Sequence, residues 1–338
     1  MVTTSSLRRP VTLLLLLSLL GAPAVASAEG RIRVAQQFGV VYLLLDVARA
    51  HQLVQKHGRT LGVDVQVDIV RLSGGVAAND MLLSGQVDVV GAGVGPLLTI
   101  WDRTKGRHNV RGVASLGNFP YYLTSNNPAV KTIADFTAKD RIATPAVGVS
   151  VQSRLLQLAS AKLWGASQWN RLDTMQVALP HPEASAAIIK GGTEISAHFG
   201  SPPFQNQELA ANRNVHIVLN SYDVLGGPAS ATLLYTTDAF RTSNPKTYRA
   251  FVEALAEAAT FVAANPEAAA DIYLKSNPGQ LDRALLLSII KSPEVQFTIT
   301  PRNTWPLAEF MHRIGAIKNK PASPRDYLFD DPHNVAGS

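Results

Sequence analysis

Two turns of small residues stand where a backbone could grip an anion. Ser73-Gly74-Gly75 ends an alternating apolar segment and begins a helical one. Thr144-Pro145-Ala146-Val147-Gly148-Val149-Ser150 stands in the same relation to the elements around it. With no bulky side chain in the way, backbone N–H groups can approach an oxygen, and the helix that follows presents the positive end of its dipole. Gly148, Ser150 and the amide of Val151 are candidate donors. Either turn alone reads equally as an ordinary strand-to-helix connection. Two of them, at matching places in the two halves of the chain, point to a binding cleft. Gly93-Val94-Gly95 is a further small-residue turn at a strand end; a G-x-G-x-x-G reading from Gly91 fails at Pro96.

Catalytic patterns are thin. There is no cysteine, which removes disulfides and thiolate metal sites, and no H-E-x-x-H or comparable ligand cluster. Gly148-Val149-Ser150-Val151-Gln152 lacks the last glycine of G-x-S-x-G. His181 and His198 each follow a strand-like segment, and a solitary histidine is commonly a hydrogen-bonded core residue. No catalytic residue, metal or cofactor is therefore assigned, and a non-enzymatic role is expected.

These turns need strands and helices to hold them. Residues 32–35 read as a short strand, and Val41, Leu44, Leu45 and Ala48 form a helical stripe. A half-exposed strand follows at 63–70, a helix at 75–83, a buried strand at 87–90, a helix opening at Pro96 and a strand at 110–114. The plan then repeats: extended chain at 121–125, strands at 141–144, 175–178, 195–198 and 215–219, and helices at 151–163, capped by Ser150, and 182–190. Beyond Thr236 the pattern is helix after helix. Its cleanest stripe is Phe251, Ala254, Leu255, Ala258, Ala259 and Val262, and this tail is expected to pack on the first half and across the gap. The fold class is thus α/β, with two halves each holding a mixed, mostly parallel sheet flanked by helices.

The N-terminus carries Arg8-Arg9, an apolar run over 11–20 and Ala26-Ser27-Ala28, the pattern of a secretory signal peptide cut before Glu29. Its removal lowers the net charge from +6 to +4, because Arg8 and Arg9 are its only charged residues. With no lipobox cysteine for a lipid tether, a free periplasmic protein is expected. The basic stretch 103–111 has no interleaved aromatics, so no nucleic-acid partner is expected.

In their order, these features resemble the nitrate/sulfonate/taurine-type substrate-binding proteins of ABC importers, a superfamily that includes thiamine-precursor binders. The resemblance rests on strand 32–35 with Gln36-Gln37, on Leu72-Ser73-Gly74-Gly75, on Leu82-Leu83-Ser84-Gly85-Gln86-Val87-Asp88-Val89 and the Gly91-Ala92-Gly93-Val94-Gly95-Pro96 that follows, and on Ile133-Ala134-Asp135-Phe136. It implies a two-lobed, type II-like periplasmic binding protein with its ligand cleft between the lobes. The expected division is a signal peptide at 1–28, lobe 1 at 29–116 plus 235–338, and lobe 2 at 117–234, with crossovers near 116–123 and 226–234. Gln37, Phe38 and Tyr42 are expected on one wall. Ser73, Gly74, Gly75, Gly93, Val94, Gly148, Ser150 and Val151 are expected on the turns. His198 and Phe199 stand where the family often has an aromatic cleft-lining segment, here without a tryptophan. The expected partners are a small-molecule ligand, a sulfonate/taurine-like or carboxylate anion, and an inner-membrane ABC permease, the protein itself being a monomer. Nitrate, a thiamine-type pyrimidine and a sensory role remain as alternatives; the superfamily's pyrimidine-forming enzymes carry a cysteine-rich motif that is absent here.

Overall fold

The computed structural model describes residues 1–2, 29–279 and 281–337; the expected signal peptide falls, but for its first two residues, outside them. From Arg31 the chain forms β1 (Arg31–Gln36), α1 (Leu43–Ala50), α2 (Leu53–Thr60), β2 (Gln66–Arg71), α3 (Gly75–Leu83), β3 (Val89–Gly93), α4 (Val94–Thr104) and β4 (Arg111–Ser115). Next come β5 (Tyr122–Ser125), β6 (Ile142–Thr144), α5 (Val151–Trp164), β7 (Gln176–Ala178), α6 (His181–Lys190), β8 (Ala197–Phe199), α7 (Phe204–Ala211), β9 (His216–Asn220), α8 (Ser221–Leu225) and β10 (Thr232–Thr236). The helical tail comprises α9 (Asp238–Ser243), α10 (Pro245–Ala264), α11 (Pro266–Ser276), α12 (Arg283–Ile290), α13 (Trp305–Arg313) and α14 (Pro332–Val335).

The strands make two five-stranded sheets, ordered β2-β1-β3-β10-β4 and β7-β6-β8-β5-β9. In the first sheet β10 runs antiparallel to both its neighbours, and in the second β5 does the same. The other pairings, β1 with β2 and β3 and β6 with β7 and β8, are parallel. The odd strand of each sheet is therefore the one that arrives from the other lobe, β5 after β4 and β10 after β9. Both sheets are mixed and flanked by helices, in the two-lobed arrangement read from the sequence.

Burial explains the patterning. The central strand β3 is buried along its whole length, as befits a strand covered on both faces, and is uniformly apolar or glycine. β2 lies at the edge of its sheet and alternates exposed with half-buried residues. On α10 the stripe Phe251, Ala254, Leu255, Ala258 and Val262 is buried, and this helix packs against α1 and α2. The tail also crosses between lobes: α12 meets α7, and α13 touches both α4 and α5. α4 starts at Val94, two residues before the predicted Pro96. First-turn amides have no partner within a helix, so a proline is tolerated there without marking the start.

Candidate functional site

Each sheet directs its strand ends at the other lobe, and the loops beyond those ends line a narrow, partly open cavity of about 30 Å³. Lobe 1 contributes Gln37 and Phe38 after β1, Gly75 at the start of α3, and Gly93 and Pro96 around the start of α4. Lobe 2 contributes Pro145, Ser150, Val151 and Gln152 from the turn into α5, His181 at the start of α6, and Ser201 after β8. Tyr121 and Thr232 stand on the two crossovers and also line the cavity; their hydroxyls are 2.7 Å apart. Four helices, α3, α4, α5 and α6, thus begin at its wall. No aspartate, glutamate, lysine or arginine lines it.

The lobes touch around this space. The Val40 amide donates to the Pro202 carbonyl at 3.0 Å. A methyl group on Gly93 would stand 2.8 Å from Val151 Cβ, and one on Gly95 2.6 Å from the Val149 carbonyl oxygen. The glycines of the turn after β3 therefore admit the facing lobe to the helix surface. The Ser150 hydroxyl donates to the Ala146 carbonyl at 2.8 Å and accepts from the Ser153 amide at 3.3 Å, so it caps α5. Outside Phe38 lies a wider groove of about 420 Å³, bordered by Arg71, Phe204, Gln207, Tyr273 and Asn277. Arg71 sits 5.5 Å over the Phe38 ring and donates to Asn277 Oδ1 at 2.6 Å.

Of the candidate residues, Gln37, Phe38, Gly75, Gly93, Ser150 and Val151 come together on the cavity wall. Tyr42 is buried beneath it and donates to the Gly91 carbonyl at 3.0 Å. Ser73 is exposed, and Gly74 faces the Pro145 carbonyl across the lobes. Val94 and Phe199 pack in the core, and Gly148 holds a positive φ of 71° with its amide bonded to Ser153 Oγ. His198 is fully buried, one residue behind the wall. Its Nε2 lies 2.8 Å from Nδ1 of His181, which is the histidine at the cavity. Burial, and then His198 beside it, hold the His181 imidazole well below its usual range. Ser201 belongs to the segment 198–202 that the resemblance set at the cleft, whereas Gln152, Tyr121 and Thr232 were missed by sequence reasoning. Gln152 sits one position inside a helix that the sequence placed well, and its amide offered no motif. Among the described residues no cluster of three or more His, Asp or Glu could hold a metal ion, and no helix is long and apolar enough to cross a membrane.

A model of the NMT1/THI5-like family matches residues 59–269. The chain belongs to that family. No curated protein sequence matches it. Among solved structures, this NMT1/THI5-like chain is similar to a protein from Bordetella bronchiseptica RB50 at 21% identity and a TM-score of 0.70, covering 91% of this chain and 97% of that one. It is similar to the alkanesulfonate-binding protein SsuA of Xanthomonas axonopodis pv. citri, solved with MOPS, at 16% identity and a TM-score of 0.65, covering 92% and 99%. It is similar also to the periplasmic nitrate-binding protein NrtA of Synechocystis PCC 6803 at 14% identity and a TM-score of 0.68, covering 88% and 84%. These likenesses establish for the NMT1/THI5-like chain the two-lobed fold of periplasmic binding proteins.

Proposed function

We propose that this protein is the solute-binding component of an ABC importer: an exported, monomeric, non-enzymatic receptor that closes on a small organic anion and delivers it to a permease. The observation that carries the ligand class is the start of four helices at one cavity with no carboxylate on its wall. Helix N-termini present unpaired amides and positive dipole ends, which suit a carboxylate or sulfonate head. Phe38, Tyr121 and Val151 offer apolar surface for an organic body, which favours such a solute over nitrate. The solute-binding turns are those of Gln37, Gly75, Gly93 and Ser150, with the crossovers at 116–123 and 226–234 acting as the hinge.

A second reading, an uncharged heteroaromatic solute such as a pyrimidine, is favoured by the absence of a lining arginine or lysine and by the amides of Gln37 and Gln152. A thermal-melt screen against sulfonates, carboxylates, nitrate and pyrimidines separates the readings. A solute at a hundred times its Kd adds roughly 2.7 kcal/mol of stability. Stabilisation by carboxylates or sulfonates is the expected result. Stabilisation by pyrimidines alone establishes the second reading, and turnover of any bound solute overturns the receptor role.

A further inference from the structure

The inner cavity is too small for an organic body, but a larger space adjoins it. At about 30 Å³ the cavity lies roughly an order of magnitude below the pockets that hold organic ligands, whereas the groove outside Phe38, at about 420 Å³, falls within their range. Phe38 lines both, so the two spaces share one aromatic wall. The groove also runs between elements of the two sheets. Phe38 and Arg71 follow or end strands of the first sheet, and Tyr273 belongs to α11, which packs on α1. Ile189 of α6 and Phe204 and Gln207 of α7 face them from the second.

Arg71 is the one charged residue among those that line this groove. It ends β2 and pairs in register with Gln36 at the end of β1, beside the loop that carries Gln37 and Phe38. Its guanidinium carbon sits 5.5 Å from the centre of the Phe38 ring, and its Nη2 donates to Asn277 Oδ1 at 2.6 Å. The Asn277 amide is itself fixed from behind. Its Nδ2 donates to Asp46 Oδ2 at 2.9 Å and to the Tyr273 carbonyl at 3.0 Å, which leaves Oδ1 for Arg71. A ring and an oriented amide thus hold the guanidinium at the groove wall.

The charge of Arg71 is not cancelled there. Asp46 is buried, and Arg49 Nη2 lies 3.3 Å from its other carboxylate oxygen, so two arginines share one carboxylate. Arg71 forms no direct ion pair with a described residue, and Asn277 is its one side-chain hydrogen-bond partner. The rest of its fork is free of protein partners. A guanidinium so placed takes a carboxylate or sulfonate through paired N–H groups.

Two anion-suited ends therefore stand on either side of Phe38: the helix starts around the inner cavity, and Arg71 in the groove. We infer that the solute is a diacid, with one acid at the helix starts, an apolar body along Phe38 and Phe204, and the second acid on Arg71. The inference rests on the binding role proposed above and narrows its solute class. Arg71 is then a specificity residue, which strengthens the binding of solutes with a second acid and contributes little to those without one.

Titration calorimetry near pH 7 tests this with straight-chain diacids from succinate to sebacate, each set against the monoacid of the same carbon number. The series scans the separation of the two acids. At the best length the diacid is expected to bind about tenfold more tightly than its monoacid. In Arg71→Gln that advantage is expected to disappear while monoacid affinity stays within about twofold of wild type. Arg71→Lys keeps the charge without the planar fork and is expected to retain part of the advantage; it replaces the glutamine variant should that one not fold. Diacids no tighter than monoacids at every length overturn the inference and leave the receptor role standing. An advantage that survives undiminished in the Arg71 variants overturns the place given to the second acid. Binding of neither series removes the anion reading of the cleft, and this inference with it.

Discussion

At Gly95 a hydrogen is all that separates the α4 backbone from the facing lobe. A side-chain carbon there would stand 2.6 Å from the Val149 carbonyl oxygen, so the facing lobe could not close this far. Alanine is also the better helix former, by about 1 kcal/mol. Gly95→Ala is therefore expected to leave the melting of the solute-free protein within about 1 kcal/mol of wild type while reducing the stabilisation that solute confers. A full solute response in that variant would show that binding needs no close approach at α4. Asp140 makes a different kind of prediction. Burial pushes its carboxyl up, but bonds from Thr137, Asn127 and Ser196 outweigh this and hold it below the usual range. A carboxyl depressed in the folded state contributes stability above its unfolded value, near pH 4, and loses it as the pH falls further. Asp140→Asn should thus cost about 1–3 kcal/mol at pH 7 and progressively less below pH 4, read from denaturant midpoints at each pH. The turns of small residues were legible in the sequence, but their reason was not. Glycine marks a close approach without saying whether a ligand or another part of the same chain makes it. His181 and His198 show the same limit. Each follows a strand, and only the three-dimensional order of β8 and α6 sets one at the wall and the other behind it.

The elements themselves were written more plainly. Periodicity located the strands from β1 to β9 and the helices α1, α3, α4, α5 and α6, because half-buried strands and amphipathic helices carry their own signature, but it gave no sign of α2, α7 or α8. Pairing partners leave no such signature, so the order of strands in each sheet could not be read from any segment. Ser150 was legible as a cap, and its hydroxyl does bond the Ser153 amide at the start of α5. That helix carries both Gln152 and the Val151 surface that meets Gly93. Ser150→Ala is expected to lower stability by about 1 kcal/mol, measured by chemical denaturation. No loss would mean that the bond from Gly148 N to Ser153 Oγ suffices to fix the turn. α13 packs on both α4 and α5, the two helices whose starts face each other across the cleft.

For the whole molecule, the cavity volume sets a requirement. About 30 Å³ is room for a water-sized body, whereas pockets for organic ligands run to roughly 300 Å³ or more. On the binding role proposed above, solute entry requires the lobes to part, with β5 and β10 as the strands that follow the two crossovers. Small-angle scattering is expected to show a radius of gyration that falls when solute is added, and an unchanged radius would exclude hinge closure. The exchange of β5 and β10 between lobes also bears on the order of assembly. In the first sheet β10 lies between β3 and β4, so β4 has no strand to pair with until residue 232 joins it. The second sheet draws on one unbroken stretch, from β5 to β9. A chain leaving the ribosome or a membrane pore N-terminus first thus carries its opening third as unfinished sheet, until a strand two-thirds of the way along arrives to close it.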